Sequence, residues 1–292
     1  MFRIVYIKSM IIWIASYPKS GNTWIRSLLA SYLFSKSGSF NFNLLKHINQ
    51  FSVAKVSNNL QKTSTPEDRI SKNWIPHQVL INSDKKTHFL KTHNALCTIN
   101  NNKFTDKFNT AACIYIVRDP RNLVTSLSHH YELDYKNAIR FITNKRKIIF
   151  PKTLSNKNDN PNDFNFIGDW SGHYNSWKNI SFCPIKIIKY EDLLADTRNI
   201  FISILKFISK YTKLDFKEER INNALLTTNF DNLRRIEKEE NFEESITSTK
   251  TNKKVKFFNL GKDNDWRRLL DKSTILKIEE KFKKEMNELN YI

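Results

Sequence analysis

The chain has 292 residues, and its 48 lysines and arginines outnumber its 29 aspartates and glutamates, which gives a formal net charge of +19. Hydrophobic residues make up 40% of the sequence, so the chain can bury a substantial core, and disorder throughout is excluded. The charge favours anionic partners such as nucleotides, sulfated or phosphorylated substrates, glycans and nucleic acid, although a compositional bias toward lysine explains it equally well.

The cysteines and the apolar runs bear on the cellular compartment in which the protein is expected. Cys97, Cys113 and Cys183 show no CxxC spacing, which predicts reduced thiols and a cytoplasmic location. No apolar run reaches the roughly 20 residues of a membrane span, and the start of the chain lacks the apolar region of a signal peptide. Because the first informative motif begins near Met10, we expect no membrane anchor before it, and Met10 is a second candidate for the natural start.

The first half of the chain predicts alternating strands and helices. Residues 11–15 form a short apolar run typical of a buried strand, and residues 23–34 repeat apolar side chains at helical spacing. Residues 87–92 and 113–117 predict a second and a third strand, the third being rich in β-branched and aromatic side chains. An aspartate and a proline then predict the start of a helix over residues 121–130.

The second half continues this alternation. The predicted elements are a helix over residues 166–178, a fourth strand over residues 185–188, and helices over residues 200–208 and 272–289. Residues 233–256 are charged and polar without a sheet or core pattern, and we expect a flexible lid over about residues 233–261. The whole pattern predicts an α/β fold in one domain over residues 1–292, with a P-loop-like, mostly parallel central sheet flanked by helices on both faces.

The turn between the first strand and its helix predicts a phosphate site. A helix that begins after a glycine turn presents unpaired N–H groups and the positive end of its dipole to an anion. Lys19 adds a full charge, Ser20 and Thr23 add hydroxyl donors, and Gly21 permits the tight turn. The loop is not a Walker A loop, because the GxxxxGK spacing is absent.

Two further segments place polar side chains at the carboxyl ends of strands, where ligands bind in open α/β sheets. Arg118 follows the third strand, and its guanidinium suits a phosphate, with Ser126 two helical turns later as a second donor. Lys91 and His93 follow the second strand, and histidine is the usual general base near neutral pH. A lone histidine is more often structural, so the position beside the other two segments supports this role.

These segments together resemble the sulfotransferase family of the cytosolic type, whose donor is 3′-phosphoadenosine-5′-phosphosulfate (PAPS). Residues 17–24, YPKSGNTW, resemble its 5′-phosphosulfate loop, with Asn22 in place of a threonine. Residues 116–126 resemble its 3′-phosphate motif, and residues 91–93, KTH, resemble the segment that carries its catalytic base. The resemblance continues in chain order through Trp177, residues 190–193, residues 228–230 and residues 261–266.

The resemblance implies a role for each matched residue. Lys19 would contact the oxygen that bridges phosphate and sulfuryl group, His93 would be the general base, and Lys91 its electrostatic support; Ser126 completes the catalytic set. The other donor-binding residues would be Ser20, Gly21, Asn22, Thr23 and Trp24 at the phosphosulfate and adenine, Arg118 and Ser126 at the 3′-phosphate, Tyr190, Thr228 and Phe230 near the adenine, and Gly261 and Lys262 in the last loop. The product would be adenosine 3′,5′-bisphosphate (PAP), and the reaction needs no metal.

The last loop departs from the family pattern in a pair of residues and at one further position. Asn259 and Leu260 stand where the family has a basic pair, which removes two cationic contacts to the 3′-phosphate. Lys262, or the basic residues within 253–256, would be their substitutes. Asn264 replaces a glycine of the same loop.

The acceptor and two rival functions stay open at this point. A hydroxyl or amine of a small molecule, lipid or glycan is expected, selected by loops over residues 40–77, 94–109 and 133–161, and His129 and His130 are competing candidates for the base. One rival is a P-loop nucleotide or small-molecule kinase, which would need a Walker loop and Mg²⁺-binding carboxylates. The other is a non-catalytic basic protein that binds nucleic acid, which the resemblance to an enzyme makes unexpected.

Overall fold

The structure, a computed structural model, describes residues 10–53, 65–150, 163–240, 242, 244–248 and 250–292. Its strands are β1 (Ile11–Ser16), β2 (His88–Thr92), β3 (Thr98–Ile99), β4 (Asn102–Lys103), β5 (Thr110–Val117), β6 (Ile148–Ile149), β7 (Asn165–Phe166) and β8 (Ile185–Lys189). Four of them form one parallel sheet in the order β2-β1-β5-β8. This sheet confirms the predicted fold class, and its strands lie where the four apolar runs predict them.

Helices surround this sheet. They are α1 (Asn22–Phe34), α2 (Pro66–Lys72), α3 (Trp74–Asn82), α4 (Pro120–Tyr131), α5 (Tyr135–Thr143), α6 (Trp170–Lys178), α7 (Tyr190–Ala195), α8 (Thr197–Ile208), α9 (Glu218–Thr227), α10 (Phe230–Glu239), α11 (Trp266–Leu269) and α12 (Lys272–Glu288), with short 3-10 turns at Phe42–His47 and Gly261–Asp263. The start of α4 is as predicted, since the Asp119 carboxylate accepts a hydrogen bond from the Arg121 N–H. Within the described ranges, none of the helices is long and apolar enough to cross a bilayer.

The core lies on both faces of the sheet, because side chains of a strand alternate between its two sides. Ile12 and Ile14 of β1 pack into the cluster that contains buried residues of α1, α8, α9 and α10. Trp13 and Ala15 face the opposite way, into the cluster that contains buried residues of α4, α5, α6 and α12. Every residue of β1 and of β5 is therefore buried, which explains why their sequences are almost entirely apolar.

The prediction that residues 233–256 carry no core pattern was wrong. Their first part belongs to α10, and Leu233 and Ile236 on that helix are buried in the core, as is Phe242 beyond it. Leu233 and Ile236 lie three residues apart and so share one helical face, which the dense charges around them concealed in the sequence. The lid over residues 233–261 stays a prediction.

The helix predicted over residues 166–178 begins later, at Trp170. The Asp169 side chain caps it by accepting a hydrogen bond of 2.8 Å from the Gly172 N–H. Residues Asn165–Phe166 instead form β7, which pairs in an antiparallel manner with β6. The apolar spacing of this stretch thus begins several residues before the backbone becomes helical.

Candidate functional site

The carboxyl ends of the four parallel strands lie at one edge of the sheet and bring the predicted site residues into a row. In the spatial order of the strands, this row consists of His93 after β2, the loop at residues 17–21 after β1, Arg118 after β5 and Tyr190 after β8. The strand that follows β1 in this sheet, β2, lies on one side of β1, and the next strand, β5, lies on its other side. The strand order therefore reverses at β1. Open α/β sheets bind ligands at such a point.

The loop between β1 and α1 has a backbone that few residues tolerate. Lys19 and Gly21 both have positive φ angles, of 68° and 95°. A Cβ on Gly21 would lie 2.5 Å from the Tyr190 ring, so only glycine fits there. Gly21 also precedes α1 without any side-chain cap, which leaves the first N–H groups of the helix available to an anion.

Asn22, which stands where the family has a threonine, ties the loop to the sheet. Its side-chain amide donates hydrogen bonds to the Ile14 carbonyl at 3.0 Å and to the Ser16 hydroxyl at 3.1 Å. These two bonds join the first turn of α1 to the last residues of β1. The side chain therefore supports the shape of the loop.

The Lys19 side chain is enclosed at the centre of the site. Its ammonium lies 3.7 Å from the centre of the Phe257 ring, which suits a cation–π contact. Burial is the main reason that the pKa of Lys19 falls to about 7, with Glu244 opposing this effect and Arg118 and Lys91 adding to it. An ammonium with so low a pKa gains most from an anion placed beside it.

Arg118 connects the end of β5 to the loop. Its Nη1 donates to the Lys19 carbonyl at 3.0 Å, and its guanidinium lies 4.0 Å from the centre of the Tyr190 ring. Ser126 is half-buried on α4, two turns beyond this point. The side chain of Arg118 is buried and held in place, as a residue that receives a phosphate should be.

His93 is held in one tautomer. Its Nδ1 lies 2.8 Å from the Ser16 carbonyl oxygen, and because that oxygen only accepts, Nδ1 carries the proton and Nε2 keeps a lone pair. Burial, followed by the charge of Lys91, lowers the pKa of His93 to about 3, so the ring is neutral at neutral pH.

A buried pair beneath His93 fixes its backbone. The His173 Nε2 donates to the His93 carbonyl at 3.1 Å, and the His173 Nδ1 accepts from the Tyr115 hydroxyl at 2.8 Å. Burial lowers the pKa of His173 to about 4, in agreement with a neutral ring that donates at one nitrogen and accepts at the other. No sequence motif singles out His173, because its partners, His93 after β2 and Tyr115 on β5, lie far from it in the chain.

Comparison with known proteins decides the family. The pattern of the family described as "Sulfotransferase domain" matches residues 10–290. The chain belongs to the sulfotransferase family. The predicted family is thus confirmed.

Two curated sulfotransferases resemble the chain in sequence. An amine sulfotransferase of Oryctolagus cuniculus is 23% identical over 229 residues, which is 77% of this chain and 63% of that protein. A luciferin sulfotransferase of Photinus pyralis is 22% identical over an alignment of 313 positions, gaps included, that covers 99% of this chain and 75% of that protein. The match therefore spans less than two thirds of the first relative's length.

Two solved structures share the fold. A mouse sulfotransferase in complex with PAP has a TM-score of 0.52 and 16% identity, over 96% of this chain and 84% of that one. Retinol dehydratase in complex with androsterone and PAP has a TM-score of 0.54 and 14% identity, over 94% of this chain and 80% of that one. These similarities confirm the arrangement of the sheet and its helices.

Three buried polar atoms near the loop indicate whether the site fits a polar nucleotide. The Ser20 Oγ, the Trp24 Nε1 and the Arg118 Nε have no hydrogen-bond partner within the described part of the chain. Leaving a buried polar atom unpaired costs about 1–3 kcal/mol, so three of them around one loop point to a polar ligand. The residues present therefore fit a donor with anionic groups.

The remaining predicted donor residues lie in and around α10 and the last loop. The Thr228 hydroxyl donates to the Ala224 carbonyl at 2.7 Å, and the Phe230 ring lies so close to Gly261 that a Cβ there would be 2.8 Å away. Lys262 is exposed, next to Gly261. None of these contacts tests the predicted roles of these residues at the adenine, which stay predictions.

Asn264, the second departure from the family pattern, anchors the last loop to α4. Its side-chain oxygen accepts from the Thr125 hydroxyl at 2.5 Å, and its side-chain nitrogen donates to the Asn122 carbonyl at 3.1 Å. A glycine could make neither bond. The substitution thus fixes the loop beside the helix that carries Ser126.

The lysines that were expected to replace the basic pair line an open groove beside α4. Lys253, Lys254 and Lys256 contribute to it together with Asn259. The His129 Nε2 donates to the Lys256 carbonyl at 2.9 Å, which leaves Nδ1 as the nitrogen of this candidate base that can accept a proton. His130 is buried, with its ring 5.6 Å from that of Phe257.

Sequence reasoning missed the residues that surround Lys91. Glu244 contacts Lys91, Arg26 and Thr23 at once. Arg26 lies one helical turn after Thr23, and this i, i+3 spacing in an otherwise apolar stretch was the only available signal. Among the described residues, no group of three or more His, Cys, Asp or Glu side chains is arranged to hold a metal.

Proposed function

We propose that this protein transfers the sulfuryl group of PAPS to a hydroxyl or amine of an acceptor. The observation that carries the proposal is the row of His93, the Lys19 loop and Arg118 at one edge of the sheet. It combines a neutral base, a buried cation and a second anion site in one crevice. A kinase of the Walker type would require a loop that the sequence lacks.

The anionic groups of the donor would be held by two parts of the chain. The 5′ side would be bound by the first turn of α1 with Lys19 and Thr23, and the 3′-phosphate by Arg118 and Ser126. These two parts follow β1 and β5, which are adjacent strands of the sheet, so they lie next to each other along its edge. This arrangement supports the assignment of both anionic groups to one donor. When bound, PAPS supplies a sulfuryl group on a phosphate leaving group.

His93 would accept the proton of the acceptor at Nε2. Its Nδ1 is bonded to Ser16, so only Nε2 is available, and the pKa of about 3 keeps this atom unprotonated. Lys91, next to it, would lie beside the charge that develops during transfer. Lys19 would stabilise the negative charge that grows on the leaving oxygen, and the enclosed position of its ammonium strengthens that effect.

The acceptor is proposed to be a small molecule. The curated relatives are named as amine and luciferin sulfotransferases, which supports a small amine or phenol as acceptor. We also place the protein in the cytoplasm, because all three cysteines are free thiols.

A transfer assay tests the proposal. Incubation with radiolabelled [³⁵S]PAPS and a panel of phenols and amines should place label on at least one acceptor. His93→Gln should lose this transfer about a hundredfold or more, because general-base catalysis contributes that much, while PAP still binds. Transfer that persists in His93→Gln and disappears in His129→Gln or His130→Gln would assign the base to another histidine. PAP binding with no labelled acceptor across the panel would leave a nucleotide-binding protein without the proposed activity.

A further inference from the structure

The carboxylate of Glu244 lies in a cradle of three donors. The Thr23 hydroxyl donates to its Oε2 at 2.8 Å, the Arg26 Nη1 lies 2.5 Å from its Oε1, and the Lys91 Nζ lies 3.1 Å from the same oxygen. Two full charges and one hydroxyl thus converge on a single anionic group. Glu244 comes from the segment after α10, more than 200 residues from Thr23 and Arg26 in sequence.

The cradle is built to hold an anion in one place. The Arg26 side chain is buried, and its Nε and Nη2 donate to the Ile48 carbonyl at 2.9 and 2.7 Å, which directs Nη1 toward Glu244. Lys91 is also buried, at the end of β2. Because neither cation can turn toward solvent, each requires an anionic partner at this position.

The cradle coincides with the proposed site for the 5′-anion of the donor. Thr23 belongs to the phosphate loop and lies in the first turn of α1, where the helix dipole favours negative charge. The charge of Glu244 also acts on Lys19 and His93, where it raises both pKa values against the effect of burial. The carboxylate therefore lies among the residues that are proposed to surround the reacting group.

Two anions cannot use this cradle together. The Thr23 hydroxyl has one proton to donate, and a phosphate or sulfuryl group next to the Glu244 carboxylate would place like charges in contact. The same segment makes a second contact with the loop, since the Phe257 ring covers the Lys19 ammonium. The chain thus covers the three cations of its own anion site, Arg26 and Lys91 with a carboxylate and Lys19 with an aromatic ring.

We propose that Glu244 is an internal anion that the 5′-anion of the donor displaces, and that Arg26 is a donor-binding residue that receives this anion. The inference rests on the proposed function, because it takes the first turn of α1 as the 5′ site. It assigns to Arg26 a role that the sequence motifs do not contain. It also means that the donor must break the Glu244 contacts when it binds, so these contacts lower its apparent affinity.

Calorimetric titration of three nucleotides tests this proposal. Glu244→Gln removes the charge and keeps the shape, so PAP and 5′-AMP should bind about tenfold more tightly than to the wild type. Adenosine 3′-monophosphate has no 5′-phosphate, and its affinity should stay within about twofold. Glu240→Gln is the matched control, because it removes the same charge from an exposed position at the end of α10 and should change no affinity.

The role of Arg26 is tested in the background of Glu244→Gln. Arg26→Gln should then weaken PAP about tenfold and leave adenosine 3′-monophosphate unchanged, which also shows that the double variant is folded. If Glu244→Gln does not fold, Glu244→Asp withdraws the carboxylate by one methylene and should give a smaller gain in PAP affinity.

The outcomes separate this inference from the function on which it rests. Weaker or unchanged PAP binding by Glu244→Gln, or by Glu244→Asp if only that variant folds, would overturn the inference, since Glu244 would then support the bound donor or act elsewhere. An effect of equal size on adenosine 3′-monophosphate would also overturn it. A wild-type protein that does not prefer PAP over 5′-AMP would instead contradict the proposed function.

Discussion

Lys19 and His93 need opposite protonation states within one crevice. Lys19 must be protonated to stabilise a leaving phosphate, whereas His93 must be neutral to take a proton. Burial lowers the pKa values of both, to about 7 for Lys19 and about 3 for His93. The same desolvation that makes His93 neutral therefore leaves Lys19 only partly charged until an anion arrives.

The low pKa of Lys19 predicts that PAP affinity falls as the pH rises above about 7. The ligand binds the protonated lysine, so above the pKa of the free protein each binding event must take up a proton. The phosphates do not obscure this effect between pH 7 and 9, because their second pKa is about 6. Titrations at several pH values, in two buffers with different ionisation enthalpies, measure both the affinity and the proton uptake.

Lys19→Arg is the control for this prediction, because an arginine stays charged over the whole range. Its PAP affinity should be independent of pH from 7 to 9. A wild-type affinity that stays constant over that range would show that Lys19 is already charged in the free protein. A dependence that persists in Lys19→Arg would identify Lys91, whose pKa burial also lowers, as the titrating group.

At the scale of elements, one arginine joins α4, the helix of the proposed 3′-phosphate site, to the end of the chain. Arg121, in the first turn of α4, lies 2.7 Å from the Asp119 carboxylate and 2.5 Å from that of Glu279 on α12. Its guanidinium also lies 3.8 Å from the centre of the Trp266 ring. This network fixes the beginning of α4, directly after Arg118.

Arg121→Met should therefore destabilise the protein by about 3 kcal/mol, because it leaves the buried Asp119 carboxylate without its cation. Chemical denaturation measures the change in the free energy of unfolding. Arg198→Met is the matched control, since Arg198 pairs with Glu218 on an exposed surface and should cost less than about 1 kcal/mol. Equal effects of the two substitutions would show that the Arg121 network adds no stability.

The sequence predicted the elements that end in the proposed site residues, because four short runs mark the four strands of the sheet. His93, Lys19 and Arg118 follow three of those runs directly, so their convergence at one edge of the sheet followed from the parallel topology. Glu244 could not be predicted, because its carboxylate meets Arg26 across 218 positions of chain and no motif links the two. Such a contact depends on how α10 packs, which the charged sequence around it concealed.

At the scale of the whole molecule, the net charge of +19 attracts anions without choosing among them. The exposed lysines of the groove beside α4 add to this attraction in the same unselective way. We expect selectivity to come from the two proposed anion sites, at the first turn of α1 and at Arg118, which a nucleotide with phosphates on both its 3′ and 5′ positions would fill together.

Comparing PAP with ATP and DNA tests the central claim most directly. Thermal stabilisation should be measured at about 0.15 M salt, where unspecific attraction is largely screened. We predict that PAP raises the melting temperature at concentrations about tenfold or more below those needed for ATP with Mg²⁺, and that duplex DNA has little effect. A protein stabilised equally by ATP with Mg²⁺, or by DNA and not by PAP, would contradict the account.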